Sequence, residues 1–327
     1  MSTTSETPKP VAVKRKLSVK PFRVQDKVFF GVARAAAIGA VAVVVLILFY
    51  LLSMSGETIL QQGPSFIFGD KWSADDPNNL LFQIGPMLWG SLLIAFNGIV
   101  IAVPMAIAAA YFIEFLANSR VAKIATTIVD LLAAIPSIVI GLWGVSVLTP
   151  VASHWANLLH DYLGFIPLFD NKTGSFVGSP FIAGWIVAVM VVPIITSVTR
   201  EIFSQLDKDV VNAATALGAS RSSTFFQVIL PTSSGGVVGG VLLGLGRALG
   251  ETVAIYFVLN LSFEINWVDV VESRGGSIAS HIVNRFGNAS PVEMKALMAA
   301  GLVLFVITLL INWLAAVIVA KAQPWRK

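Results

Sequence analysis

The sequence contains six apolar runs that are long enough to cross a bilayer, and no other feature limits the fold as much. A helix of about 20 residues crosses the hydrocarbon core. Charged residues make up 12% of the chain, against roughly 25% in soluble domains. The pattern therefore predicts an all-α integral membrane protein with six transmembrane helices. The predicted spans are residues 29–54, 88–116, 124–148, 180–198, 235–260 and 291–320.

The segments between these runs predict how the chain is divided. Six spans place both termini on one side, and most of the 22 lysine and arginine residues lie in segments that would share that side. The positive-inside rule then predicts that this side is the cytoplasm. The predicted divisions are a flexible basic cytoplasmic tail at 1–28, a first anchor helix at 29–54, an external loop at 55–86, a membrane core at 87–320 and a cytoplasmic C-terminus at 321–327. Within the core we expect external loops at 150–179 and 261–290 and a cytoplasmic loop at 200–232.

Several function classes are excluded by residues that the sequence lacks. It has no cysteine, which rules out disulfides, thiolate metal sites and cysteine nucleophiles. His154, His160 and His281 fall in predicted loops without metal-ligand spacing. The sequence has neither a Walker A pattern nor HExxH, so we expect no catalytic residues, no metal site and no ATP chemistry of its own. The net charge of +4 is explained by basic residues beside the spans and does not indicate nucleic-acid binding.

A polar, small-residue segment between the fourth and fifth spans, residues 207–231, is predicted to form a helical hairpin outside the bilayer. Asp207 and Asp209 favour a helix N-terminus, and Gly218 favours a helix end. Ser220 could cap a second short helix that Pro231 closes. Since helix connections usually need only about 2–8 residues, this segment predicts a docking surface for another protein.

The fifth predicted span carries small residues and two charges. Gly236, Gly240 and Gly244 recur every four residues, a spacing that allows close helix packing. Further along the chain, the same helical face would carry Arg247 and then Glu251, with Arg247 near the middle of the membrane. An arginine there costs on the order of 3 kcal/mol, so it is either locked in a structural salt bridge or placed in a water-filled path. As a path residue its guanidinium would bind oxyanions.

The predicted third span contains a further acid, Asp130, and a proline, Pro136. A membrane-buried carboxylate marks a substrate or proton path, or it forms a hydrogen bond between helices. Both interpretations of Asp130 stay open on the residues alone.

The 207–231 segment resembles the cytoplasmic loop of permease subunits in ATP-binding-cassette (ABC) importers. That family's pattern is E-A-A, three residues, G, nine residues and I-x-L-P. The spacing is kept in full, although Asn212 replaces Glu and Val228 replaces Ile; Asn212 cannot form the ion pair with the ATPase that the family's Glu is associated with. The residues that the resemblance implies for ATPase coupling are Asn212, Ala213, Ala214, Gly218, Ala219, Val228, Leu230 and Pro231.

The segment GLGRALGET, together with ALGASRSSTFFQVILP and VDLLAAIPSIVIGLWG, is similar to the PstC type of phosphate-importer permease. The resemblance runs from about residue 88 to the C-terminus. It implies a type I ABC-importer permease fold over the 87–320 core. In that family, residues matching Arg247 and Glu251 are associated with phosphate passage; Asp130 matches an often acidic position and is a weaker candidate.

The resemblance also implies partners and a location. We expect a permease subunit in the bacterial plasma membrane that forms a phosphate path with a second, homologous permease subunit. Two cytoplasmic ATPase subunits would use ATP and Mg²⁺, and an extracytoplasmic phosphate-binding protein would deliver the substrate. Two alternatives remain: an ABC permease for another oxyanion, or a proton-coupled secondary anion transporter with Asp130 or Glu251 as proton carrier.

Overall fold

The computed structural model describes residues 24–74 and 80–322, and side chains from residue 26 to residue 317 within those ranges. Residues 323–327 of the predicted C-terminal tail and residues 1–23 of the predicted N-terminal tail therefore lie outside the described residues, whereas residues 24–28 begin α1 and residues 321–322 end α13. The chain divides into two units, 1–50 and 51–327. In its described part the first unit is a helical segment with exposed apolar side chains, among them Phe29, Leu46 and Phe49.

The described chain is mostly helical. Its helices are α1 (Val24–Gln62), α2 (Ser65–Phe68), α3 (Gly85–Tyr111), α4 (Ser119–Ala134), α5 (Ser137–Trp143), α6 (Thr149–Leu163), α7 (Pro180–Ser204), α8 (Lys208–Ala216), α9 (Arg221–Thr224), α10 (Leu230–Gly250), α11 (Val253–Val258), α12 (Ile278–Phe286) and α13 (Pro291–Ala322). A 3₁₀ turn covers Pro167–Phe169. Two short strands, β1 (Trp72–Ser73) and β2 (Leu81–Phe82), pair antiparallel.

Within the residues that the structure describes, six helical stretches are long and apolar enough to cross a membrane, as the sequence predicts. They are Asp26–Gln62, Gly85–Leu116, Ser137–Leu163, Pro180–Ser204, Arg221–Gly250 and Pro291–Val317. The predicted first span, 29–54, is therefore longer, and the predicted loop at 55–86 begins with the last turns of α1. Likewise, the predicted loop at 200–232 starts and ends inside α7 and α10, because the polar residues at these points continue a helix rather than end it.

The third span is displaced from its predicted position at 124–148. Ile135 is extended (φ −66°, ψ 129°), so α4 ends at Ala134. The ring of Pro136 disfavours a helical residue before it, which explains the break. The spanning stretch then starts at Ser137 and continues to Leu163. Residues 150–163 are consequently helical, although the sequence predicts that they lie in a loop.

The membrane core is built where α10 packs on α7, and glycines make this contact possible. A Cβ atom at Gly236 would lie 2.5 Å from Ile202, and one at Gly244 would lie 2.7 Å from Ile195. At Gly240 the distance to Val198 would be 3.1 Å. A side chain at these positions would force the helices apart, so the predicted role of the four-residue glycine spacing is confirmed. The other face of this core is α3, which packs on both helices through alanines such as Ala102 and Ala106.

The end of the bundle that carries β1, β2 and α12 contains a buried histidine. His281 is 2% exposed and lies between the rings of Trp72 and Phe263, with centroid distances of 4.4 and 5.4 Å. Burial, and secondarily the charge of Arg285, lowers the pKa of His281 to about 4. The imidazole is thus neutral at pH 7. The prediction of an ordinary loop residue is wrong, because His281 belongs to α12 and packs in an aromatic core.

Close by, a side-chain cap begins α13. The N–H of Glu293 donates to Ser290 Oγ at 3.2 Å, as a capping box requires. The Glu293 carboxylate instead accepts a hydrogen bond from Trp72 Nε1 at 2.9 Å and lies 3.8 Å from Arg285 Nε. This carboxylate therefore connects α13 to β1 and α12.

Candidate functional site

The 207–231 segment forms the predicted helical hairpin, which we call the central hairpin. Asp207 Oδ1 accepts the N–H of Asp209 at 2.9 Å and so caps α8. Ser220 Oγ accepts the N–H of Ser223 at 3.2 Å and caps α9. Between them Gly218 has φ +85°, a left-handed conformation that glycine adopts without strain. The predicted caps and the glycine stop are confirmed.

The second half of the central hairpin differs from the prediction. After α9 the chain makes a π-helical turn, Phe225–Ile229, and then continues directly into α10. Pro231 lies in the first turn of α10 and does not close the hairpin. A proline is tolerated there because it removes a backbone donor in a helix's first turn, and the wider π-turn before it accommodates the missing bond.

The central hairpin has one face open to solvent and one face on the helix ends. Leu217 is 89% exposed and Phe226 is 64% exposed. Among the residues of the coupling pattern, the exposed ones are Asn212, Ala213, Gly218 and Pro231, and the half-buried ones are Ala214, Ala219, Val228 and Leu230. An outward apolar surface with no partner inside the described chain is typical of an interface with another protein.

The second group of candidate residues lies where α10 ends. Arg247 is exposed in the isolated chain and forms no ion pair with any described carboxylate. It lies one turn after Leu243, which is 60% exposed. A Cβ atom at Gly239 or Gly250 would meet no atom within 4 Å. Arg247 therefore borders an open face of α10, beside the buried glycine contact with α7.

The predicted pairing of Arg247 with Glu251 on one helical face is wrong. The helix ends at Gly250, and Glu251 is extended (φ −70°, ψ 125°). Glu251 is 9% exposed, and its Oε1 accepts the N–H of Ala254 at 3.4 Å, at the start of α11. Gly250 is a typical residue for a helix end, and the carboxylate supplies a cap for the next helix. These two signals compete with the helical spacing that the sequence also shows.

Asp130 does not belong to any of the six described stretches that are long and apolar enough to span a membrane. It is exposed on α4, outside the six spanning stretches, and forms no hydrogen bond or ion pair within the described residues. Thr126 lies one turn before Asp130 on α4. Its Oγ1 accepts a hydrogen bond from Arg200 of α7 at 2.8 Å, which fixes α4 to α7. The predicted interhelical hydrogen bond of Asp130 is thus absent from the described contacts.

Two polar residues within the core make contacts between helices, and neither belongs to the predicted site. Asn97 of α3 donates to the carbonyls of Pro180 and Phe181, both at 3.3 Å, and so joins α3 to the start of α7. Asn312 of α13 lies beside Gly246 of α10. A single polar side chain within an apolar run is the only sequence signal for either of them.

Metal-ligand geometry is not found in the part of the chain that the structure describes. Within residues 24–74 and 80–322, no group of three or more histidine, aspartate or glutamate residues could hold a metal ion. The two candidate regions are the central hairpin, which has an exposed apolar face, and an exposed arginine on an open face of α10.

Comparisons with known proteins match most of the chain. The profile of a family described as "Binding-protein-dependent transport system inner membrane component" matches residues 98–323. A Mycobacterium tuberculosis protein named phosphate transport system permease protein PstC 2 is 34% identical over 299 residues, covering 90% of this chain and 92% of that protein. The Haemophilus influenzae phosphate transport system permease protein PstC is 37% identical over 297 residues, 89% of this chain and 92% of its own length.

Solved structures resemble the fold. A chain of a bacterial ABC transporter involved in the import of the acidic polysaccharide alginate aligns with a TM-score of 0.54 at 17% identity, covering 92% of this chain and all (100%) of that one. The same kind of alginate transporter, in complex with an alginate pentasaccharide-bound periplasmic protein, gives a TM-score of 0.51. At this identity the likeness is one of fold.

Proposed function

The chain belongs to the family of binding-protein-dependent transport system inner membrane components, and we propose that it forms, with a second permease subunit, the path for inorganic phosphate in an ATP-driven importer. It is a membrane-embedded ABC permease subunit with a type I importer fold. The observation that carries the choice of phosphate is the similarity, over nine tenths of the chain, to relatives named as phosphate permeases.

The open face of α10 supports a path between two permease subunits. Arg247 is exposed beside Leu243 in the last turn of α10, and a guanidinium that faces lipid is unfavourable. A second subunit packed against this face would enclose the guanidinium next to an aqueous path. The planar guanidinium then binds two phosphate oxygens at once, an arrangement that a lysine ammonium does not offer.

Glu251 has a different part in this proposal. Its carboxylate is almost buried at the start of α11, just beyond the end of the helix that carries Arg247. A negative charge near the anion path weakens the binding of phosphate to Arg247, because like charges repel. Phosphate is consequently released rather than retained. Asp130, exposed on α4, has less support as a path residue.

The central hairpin supplies the connection to ATP hydrolysis. We place it in the cytoplasm, because the basic residues of the chain concentrate on its side of the spans. Two cytoplasmic ATPase subunits bind ATP and Mg²⁺, and one of them docks on the surface around Leu217 and Phe226. Asn212 then contributes a neutral hydrogen bond where an acidic residue would form an ion pair. An extracytoplasmic phosphate-binding protein docks on the opposite side.

Purification of the tagged chain from its native membrane tests this assembly. We expect an ATPase and a second permease to co-purify, and we expect the complex to hydrolyse ATP faster when phosphate-loaded binding protein is added. Sulfate-loaded or empty binding protein serves as the control. A chain that purifies alone, or hydrolysis that responds equally to all three additions, would contradict the proposal.

A further inference from the structure

The central hairpin is covalently joined to α7 and α10, but its contact with α3 depends on side chains alone. Tyr111, the last residue of α3, lies against Phe225 with ring centroids 4.5 Å apart. Tyr111 Oη also donates to the carbonyl of Arg221 at 3.5 Å. These two contacts connect α3 directly to the second half of the hairpin.

A small aromatic cluster extends this contact to α7. Phe115 lies 5.4 Å from Tyr111 and 5.8 Å from Phe203, measured between ring centroids. Phe203 is 1% exposed, and Ala110 in the same cluster is fully buried. Aromatic pairs of this kind stabilise a contact beyond the area they bury. The ends of α3 and α7 and the hairpin are therefore packed as one body here.

The Tyr111–Phe225 contact lies at two π-helical turns, because Tyr111 directly precedes one of them and Phe225 begins the other. Phe112–Leu116 follows α3, and Phe225–Ile229 follows α9. A π-turn inserts one residue into a helix and is frequent at functional sites, where it re-aims side chains. Two such turns facing each other bring the aromatic rings together at the base of the hairpin.

The other end of α3 is fixed to the segment between α11 and α12, residues 259–277, and to the first residue of α12. A Cβ atom at Gly90 would lie 2.0 Å from the carbonyl oxygen of Gly276, so the two backbones are in direct contact. Ser91 Oγ accepts the N–H of Ile278 at 2.9 Å. With 27 residues, α3 joins these two ends over roughly 40 Å.

We infer that α3 transmits movement between the central hairpin and the segment at the opposite end of the bundle, and that Tyr111 is the positioning residue that makes α3 follow the hairpin. The inference rests on the proposed function, because it assigns the hairpin to ATPase coupling. The hairpin is covalently joined to α7 and α10, and the inference adds α3 as a third helix that follows the hairpin through the Tyr111–Phe225 contact. In the assembled importer, docking of the binding protein on the outer face reaches the ATPases through this helix.

The test uses the complete reconstituted complex and three single variants. In Tyr111→Ala we expect basal ATP hydrolysis to persist while its stimulation by phosphate-loaded binding protein falls about tenfold. Tyr111→Phe keeps the ring and should retain stimulation. Phe112→Ala is the matched control, because Phe112 lies in the adjoining π-turn, is 45% exposed and has no ring contact among the described side chains. Full stimulation in Tyr111→Ala would overturn the inference.

A cross-linking experiment tests the connection between Tyr111 and Phe225 even if Tyr111→Ala assembles poorly. The chain has no cysteine, so the pair Tyr111→Cys and Phe225→Cys can be linked selectively in a complex whose partners also lack cysteine. We expect the unlinked pair to lose stimulation and a short thiol cross-linker to restore it. A linked pair that does not regain stimulation would show that the connection between the hairpin and α3 does not carry the response, which contradicts the inference. Failure of the wild-type complex to respond to phosphate-loaded binding protein would instead refute the proposed function.

Discussion

Replacing Arg247 by alanine is expected to reduce phosphate uptake by about 100-fold or more while leaving the complex assembled. Each hydrogen bond to a charged group contributes about 1.5–3 kcal/mol, and the guanidinium offers two to one phosphate. Assembly should survive because Arg247 is exposed and forms no ion pair within the described chain. The measurement is uptake of radiolabelled phosphate into proteoliposomes that contain the complete complex.

Two further variants serve as controls for Arg247→Ala. Arg247→Lys keeps the charge but not the planar pair of donors, so we expect partial uptake. Leu243→Ala changes the same open face of α10 one turn earlier and should leave uptake nearly unchanged, since it removes only an apolar contact. Normal uptake by Arg247→Ala would show that Arg247 does not bind phosphate in the path and that its role is structural.

Replacing Gly218 by valine is expected to uncouple ATP hydrolysis from uptake. Gly218 has φ +85°, where a residue with a Cβ atom is strained by roughly 1–2 kcal/mol and a β-branched residue by more. About 2 kcal/mol shifts the hairpin away from its native turn by roughly thirtyfold. Space is not the cause, because a Cβ atom at Gly218 would meet nothing within 4 Å.

The matched control is Gly218→Asn, since asparagine adopts the left-handed conformation more readily than other side chains. We expect it to retain most coupled uptake. Uptake and ATP hydrolysis are measured on the same vesicles, and the ratio of phosphate imported to ATP consumed is compared. An unchanged ratio in Gly218→Val would show that the turn at Gly218 has no part in coupling.

Much of the fold could be predicted from the sequence because it depends on local patterns. The six apolar stretches, the caps of α8 and α9 and the left-handed Gly218 all follow from residues that lie within a few positions of one another. The glycine spacing in α10 also predicts close packing correctly, although only the structure shows that the partner is α7.

The parts that could not be predicted depend on competition between signals. Pro136 ends α4 and moves the third span, even though the apolar run continues through it. Gly250 and Glu251 fit a continuing helix by spacing, but the cap that Glu251 gives to α11 makes the break more favourable. The aromatic contact of Tyr111 with Phe225 joins residues far apart in the chain, so no local pattern could reveal it.

The most direct test of the central claim is phosphate accumulation by vesicles that contain the purified complex. We predict that phosphate accumulates when ATP, the ATPase subunits and the loaded binding protein are all present, and that a protonophore does not prevent it. Accumulation driven by a proton gradient alone, by this chain without ATP or an ATPase, would contradict the account.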